Sequence, residues 1–340
     1  MKRRKDLFYL LLISCLILVF FTRYLSGENL FFATDEASSD LLDFYYPQRV
    51  YLADHLKQGQ IPLWTPYQQN GFPFLAEAQT GIFYPPNLIL FRLLPTPLAF
   101  NWSIILSSFI LSFGTYFFLK TLKLDRLAAF FGSLVITFSG FFITHLKHVP
   151  LIQAAAFLPW AFLFIEKLIS LSQKKYAIFL ALALSFSILA GHLPTAYSVI
   201  LFSLFYFILR LNLEFKSHSE TARPIVLFLF SLLLAILLSA IQLFPTAEMF
   251  PYSSRNVQSL PSFTNMPIDQ LITFINPYYF GDASQATYEP ERPSFWENLG
   301  YVGIISLVLS LMAFFLKKNK KEHPALGIFK VLLFISLFFI

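Results

Sequence analysis

Lys2-Arg3-Arg4-Lys5, then Asp6, then Leu7-Phe8-Tyr9-Leu10-Leu11-Leu12-Ile13-Ser14-Cys15-Leu16-Ile17-Leu18-Val19-Phe20-Phe21, is the stretch on which the reading of the fold turns. A basic cluster followed by an apolar run is shared by cleaved signal peptides and uncleaved signal anchors. No small-x-small cleavage site follows, and many further apolar runs do, so an anchor is the expected reading. The whole chain repeats the theme. Hydrophobic residues make up 56% of it, Phe alone supplies 43 residues, and 13% are charged, against about 25% in soluble domains. The alternating pattern of a membrane barrel is absent. Cys15 is the single cysteine, so no disulfide forms within the chain and cysteine usage does not report a redox compartment.

A membrane span needs about 20 mostly apolar residues. Runs that meet this description fall near 7–25, 99–119, 127–143, 151–169, 177–191, 195–210, 224–244 and 299–316, with a ninth starting near Ala325. The expected fold is therefore all-α: a polytopic transmembrane bundle of about nine spans over residues 1–340. Two long loops belong to it, at 26–98 and 245–298. The pair 177–191 and 195–210, joined by Gly191-His192-Leu193-Pro194, reads as two tilted spans or as a re-entrant hairpin. The last apolar run is still under way at Ile340, which suggests the N-terminal part of a longer protein.

Charge tests the arrangement. Alternate connections carry Lys2, Arg3, Arg4 and Lys5; Lys120, Lys123 and Arg126; Lys174 and Lys175; Arg210, Lys216 and Arg223; and Lys317, Lys318, Lys320 and Lys321. The opposite set carries Arg49, Lys57, Arg92, Lys147, Arg255 and Arg292, spread over far more residues. The positive-inside rule places the N-terminus in the cytoplasm and both long loops outside, on a bacterial cytoplasmic membrane. The net charge of +6 thus reports orientation rather than a nucleic-acid partner.

Polar residues inside spans usually mark ion or substrate paths. Here the outliers are His145, Lys147, His148, His192, Glu248 and Arg255, all at span ends on the side of the long loops. An ion-coupled transporter is expected to place carboxylates near midplane. An enzyme of the outer leaflet rings its polar groups at the surface, and this pattern matches it.

The first long loop holds Asp35, Glu36, Asp40 and Asp43 within nine residues. Four acids in a loop most often form a solvated face. Asp40 and Asp43, however, flank Leu41, Leu42, Phe44, Tyr45 and Tyr46. These neighbours are expected to press the carboxylates against the membrane core, and desolvation raises a carboxyl toward the range of a useful base. Pro47 to Gly59 reads as a short interfacial helix, with proline near its start and glycine past its end. Val50, Ala53 and Leu56 share one face, while Arg49 and Lys57 lie elsewhere. Prolines and aromatics, Trp64 and Tyr67 among them, then lock a surface-hugging loop.

The ordered motifs resemble a known family. Asp40, Tyr46-Pro47-Gln48-Arg49, Gly59-Gln60-Ile61-Pro62-Leu63-Trp64-Thr65-Pro66-Tyr67, Gly71-Phe72-Pro73 and Gln79-Thr80-Gly81-Ile82-Phe83-Tyr84-Pro85 come first. Ser139-Gly140-Phe141 with His145 and His148, Pro159-Trp160, Gly191-His192 and Thr195-Ala196-Tyr197 follow. Gln242 to Glu248, Ser254-Arg255, Trp296-Glu297 and Tyr301-Val302-Gly303 complete the series. Together they are similar to the bacterial YfhO-type membrane protein family, which looks like a branch of the GT-C glycosyltransferases. Thr65 stands where the family often has Asn, and Gly191-His192-Leu193-Pro194 departs from an amide-rich hairpin.

The resemblance implies a glycosyltransferase that moves a sugar from a polyprenyl-phosphate carrier to an envelope glycan, polymer or lipid acceptor. An acid of the first loop would be the general base: Asp40 first, with Asp35 and Asp43 behind it. Arg255, His145, His148 and His192, with Lys147, would bind the donor phosphate. Trp64, Tyr67, Gln79, Glu248 and Glu297 would contact substrate. For each of these the plainer reading is an interface anchor, a cap or a solvated charge. No tight metal-ligand spacing appears, so no metal site is expected and no cofactor is required; a divalent cation stays open. The alternative is a non-enzymatic transporter, flippase or scaffold for lipid-linked envelope glycans, using the same aromatic groove without the carboxylate.

Overall fold

The computed structural model describes residues 2–31, 40–68, 70–215, 218–252, 267–289, 292, 294–315 and 327. Among them the chain is helical, with no strand beyond one antiparallel bridge between Thr65 and Phe72. In order the helices are α1 (Lys2–Phe20), α2 (Tyr46–Lys57), α3 (Pro85–Leu93), α4 (Thr96–Thr121), α5 (Arg126–Thr137) and α6 (Gly140–Thr144). Then come α7 (Val149–Ala155), α8 (Leu158–Leu171), α9 (Lys174–Leu189), α10 (Leu193–Glu214), α11 (His218–Met249) and α12 (Ile304–Phe315).

Proline sets many of the starts. It occupies the first turn of α2, α3, α4, α7, α8 and α10, where its missing N–H costs no hydrogen bond and its fixed φ suits the helix. Side chains cap others. Asp125 accepts from Ala128 N at 2.8 Å and opens α5; Ser139 does the same for α6.

Four stretches are long and apolar enough to cross a membrane: Thr96–Thr121, Val149–Leu171, Leu193–Glu214 and Thr221–Tyr252. A fifth arises if Arg126–Thr137 and Gly140–Lys147, bent by 40°, count as one span. The runs expected at 7–25, 177–191 and 299–316 fall on helices that this measure does not reach. α1 begins with its basic cluster, α9 has 16 residues, and α12 has 12 that are described. The ninth run lies outside the described residues. Residues 177–210 form two helices, α9 and the longer α10, turned at Gly191 with φ +103°, and of the two α10 is long and apolar enough to cross a membrane. A Cβ at Gly191 would sit 2.0 Å from the Ala78 carbonyl oxygen, so glycine lets this turn touch the first loop.

Small residues bring the spans together, as is usual in lipid. On α4, Ser103, Ser107, Ser108, Ser112, Gly114 and Thr115 are buried. A Cβ at Gly114 would fall 2.6 Å from the Trp160 ring. Ser107 bonds back to Ser103 O at 2.9 Å and Thr115 to Leu111 O at 2.8 Å, so these hydroxyls are paired within their own helix. α11 turns Val226, Leu229, Phe230, Leu233, Leu237 and Ile241 outward, an apolar face suited to lipid.

The first loop folds onto this bundle rather than only lying on it. α2 packs against α3 and α4. Its buried face is Gln48, Arg49, Leu52, Ala53 and Leu56, so Arg49 shares the apolar face instead of lying apart from it. The expected desolvation of the acids is also corrected. Asp40 and Asp43 are exposed, because Leu41 and Tyr45 take the inward positions of that turn.

Candidate functional site

Three segments meet at the end of the bundle that carries the first loop. Asp40 heads a wide π-helical turn, Leu41–Tyr45, that runs into α2; such turns are frequent at functional sites. A tight turn, His145–Lys147, joins α6 to α7, with His148 immediately before Val149 and Pro150. The third segment is 294–302. Gly140 N–H donates to Tyr301 O at 2.7 Å, and Thr273 Oγ1 donates to Asn298 O at 3.1 Å. These bonds dock the segment on the start of α6 and bring Trp296 and Glu297 over the histidine turn.

The resulting cluster is compact. His148 Nε2 lies 3.7 Å from Asp40 Oδ2, and His145 Nε2 lies 3.9 Å from Glu297 Oε2. Both separations exceed hydrogen-bond length and fall within the reach of charge. His145 is fully buried and donates Nδ1–H to Phe141 O at 2.7 Å, which directs Nε2 to Glu297. Lys147 Nζ stands 3.0 Å from the centre of the Trp296 ring, a cation–π contact. His192 caps α10, its Nδ1 accepting from Thr195 N and Oγ1, and its charge is felt at His148 and Glu297.

Electrostatics sort these groups. His148 sits between two candidate spans; burial first, then the neighbouring His145 and Lys147, push it down to about 3. At neutral pH it is an uncharged imidazole, so it offers no positive charge to a phosphate and differs there from its expected role. The facing His145, chiefly, holds the Glu297 carboxyl below its ordinary range. Lys147 is the cation of the group.

Two cavities lie on segments that flank the cluster. One, of about 1060 Å³, opens between the first loop and the end of α11, with Phe44, Phe72, Glu77, Glu248, Met249 and Tyr252 on its walls. The other is an apolar groove of about 550 Å³ along α4, α5 and α8, closed above by Leu299–Val302. It ends at Ser139 and Phe141, one turn from His145.

Of the residues singled out in the sequence, Asp40, His145, His148, His192 and Glu297 come together. Glu248 lies on the larger cavity. Gln79 Oε1 accepts from Tyr45 Oη at 3.1 Å, beside the Gly191 turn. Trp64 and Tyr67 are exposed, 56% and 83%, and line neither cavity. Asp43 is exposed. Asp35 and Arg255 lie outside the described residues. Among the described residues no group of three or more His, Cys, Asp or Glu converges as for a metal ion.

Two features escaped the sequence reading. Trp296 was part of a motif but had no role until the docked segment placed it on Lys147. Arg49 was set aside, although Arg49, Leu52, Ala53 and Leu56 follow the i, i+3, i+4, i+7 spacing of one helix face. Burial without a carboxylate lowers its guanidinium to about 9.

No curated protein and no solved structure matches the chain. Residues 7–340 match the family described as bacterial membrane protein YfhO, and with nearly its whole length covered the chain belongs to that family, as a membrane-spanning member with several apolar helices.

Proposed function

We propose that this protein is a GT-C-type glycosyltransferase that moves a sugar from a polyprenyl-phosphate carrier to an envelope glycan, polymer or lipid acceptor. The observation that carries the reading is the approach of Asp40 to the His145–Lys147–His148 turn above an apolar groove. A carboxylate, a cation and a lipid-facing groove are what such a transfer needs side by side. By the distribution of Lys and Arg, this end of the bundle faces outward from the cytoplasmic membrane.

In the proposed step an acceptor hydroxyl gives its proton to Asp40 as its oxygen attacks the anomeric carbon. The bond from that carbon to the phosphate oxygen breaks, and its electron pair leaves with the phosphate, inverting the sugar. Lys147, held by Trp296, faces the developing charge. Neutral His148 orients Asp40; the 3.7 Å gap is of the kind that closes when substrate binds. Burial of the isoprenoid chain in the groove along α4, α5 and α8 fixes the sugar near the base.

Asp40→Asn is the direct test. In membranes supplied with polyprenyl-phosphate sugars, transfer should fall by about 100-fold or more, the usual range for losing a general base. Undiminished transfer removes Asp40 from the role. Retained biological function in a triple neutral variant of Asp35, Asp40 and Asp43 favours the non-enzymatic flippase or scaffold.

A further inference from the structure

Arg49 is 1% exposed, and neither Nη1 nor Nη2 has a hydrogen-bond partner. The Phe91 ring lies 5.7 Å from its Cζ, and Tyr45 is near enough to act on its charge. Among the described residues no carboxylate pairs with it. A buried guanidinium in that state is costly, because its hydration is lost and nothing replaces it. The adjacent Gln48 is 2% exposed, and both of its amide atoms are also unpartnered. The Tyr84 hydroxyl is buried without a partner as well.

Arg49 and Tyr84 lie beside one turn, at Gly81, whose carbonyl accepts from Tyr84 N at 3.2 Å. Gly81 turns the chain with φ +52°, and a Cβ there would fall 3.4 Å from Arg49 Nη2, 2.9 Å from Asn87 Nδ2 and 3.0 Å from Ala190 O. Asn87 is held by donating to Gly81 O at 3.0 Å and accepting from Gln153 Nε2 at 3.2 Å. The cradle thus sets the donors Arg49 Nη2 and Asn87 Nδ2 beside one turn, with the Ala190 carbonyl as an acceptor. It lies behind Gln79 and Tyr45, on the inner side of the loop that bears Asp40.

We infer that Arg49, with Gln48, Tyr84 and Asn87 around the Gly81 turn, forms a binding site for a phosphate group. The planar fork of Arg matches a phosphate with two parallel hydrogen bonds, and the tyrosine hydroxyl and the two amides can add more. The inference deepens the transferase reading and rests on it for the lipid origin of the phosphate. The phosphate chemistry itself comes from the unpartnered donors.

The test uses the full chain in nanodiscs, with phosphorus NMR and thermal shift reporting binding. The probes are a polyprenyl monophosphate, inorganic phosphate and a polyprenyl alcohol. The wild type should bind the lipid phosphate and not the alcohol; Arg49→Met should weaken binding at least tenfold and Arg49→Lys less. Saturable binding of inorganic phosphate with equal affinity would assign the site to the free ion. If Arg49→Met does not fold, Gly81→Ala fills the cradle and keeps the charge, and it should show the same loss. Unchanged binding in either variant overturns the inference. Phosphate binding lost in Arg49→Met, with no sugar transfer found in the wild type, leaves this site standing and removes the transferase reading.

Discussion

Arg49 and Arg210 are both 1% exposed, yet they live in opposite circumstances. Arg210 on α10 meets Glu166 of α8 through Nε at 2.6 Å and Nη2 at 3.1 Å, and Glu214 at 3.2 Å. The Tyr206 hydroxyl donates to the same Glu166. That end of the bundle settles its buried charge within the chain, and the pairing ties α8 to α10. Arg49 has an aromatic ring and unpartnered amides instead. A buried charge with a partner is part of the scaffold, whereas one without a partner is a requirement that something else must meet. The contrast separates a structural arginine from one whose partner comes from outside.

The comparison breaks if the two respond alike to neutralisation. Glu166→Gln should cost about 3 kcal/mol, because removing one partner strands a buried charge; Glu214 keeps the loss near the lower end. Unfolding in mild detergent measures it, and a change under 1 kcal/mol would count against the scaffold role. Arg49→Met should act in the other direction. In the absence of ligand it should gain about 2 kcal/mol, as replacing a poorly compensated buried charge by an apolar group of similar shape often does. A loss of stability in Arg49→Met would mean that Arg49, too, is paired within the chain.

A pH-dependent effect concerns His148. Its native value of about 3 lies below the ordinary 6.5. Between those values the unfolded chain binds a proton that the native protein does not. Stability therefore falls as pH drops from 6.5 toward 3, by up to about 1.4 kcal/mol for each pH unit. His148→Asn removes that contribution, so its stability should decline less steeply between pH 6 and pH 4. Parallel slopes would show that His148 is not held neutral by its surroundings.

Much of this was legible in the residues. The apolar runs, the proline starts and the short helix after Pro47 need only local chemistry, and among the described residues the structure places helices at each. Gly59 ends α2 with φ +73°, as its position suggested. The span count was less legible. The apolar run in 177–191 is visible in composition, but helix length is set by where caps and turns fall. The site was half legible. His145, His148 and His192 drew attention because polar groups at span ends are uncommon. Their approach to Asp40 and Glu297, about 110 and 150 residues from the histidine turn along the chain, follows no sequence spacing.

What the sequence determined by itself is the class of the protein: a chain too apolar and too sparsely charged to fold in water, with His145, Lys147, His148, His192 and Glu248 gathered at one end. Local propensity and hydropathy act over a few turns and leave that mark directly in the residues. What only the tertiary structure decided is which of those groups face one another, and which are stranded. Asp40 turned out exposed and Arg49 buried, against their immediate neighbourhoods. The packing of α2 on α3 and α4, and the docking of 294–302 on α6, govern desolvation there, and both depend on contacts between segments far apart in the chain.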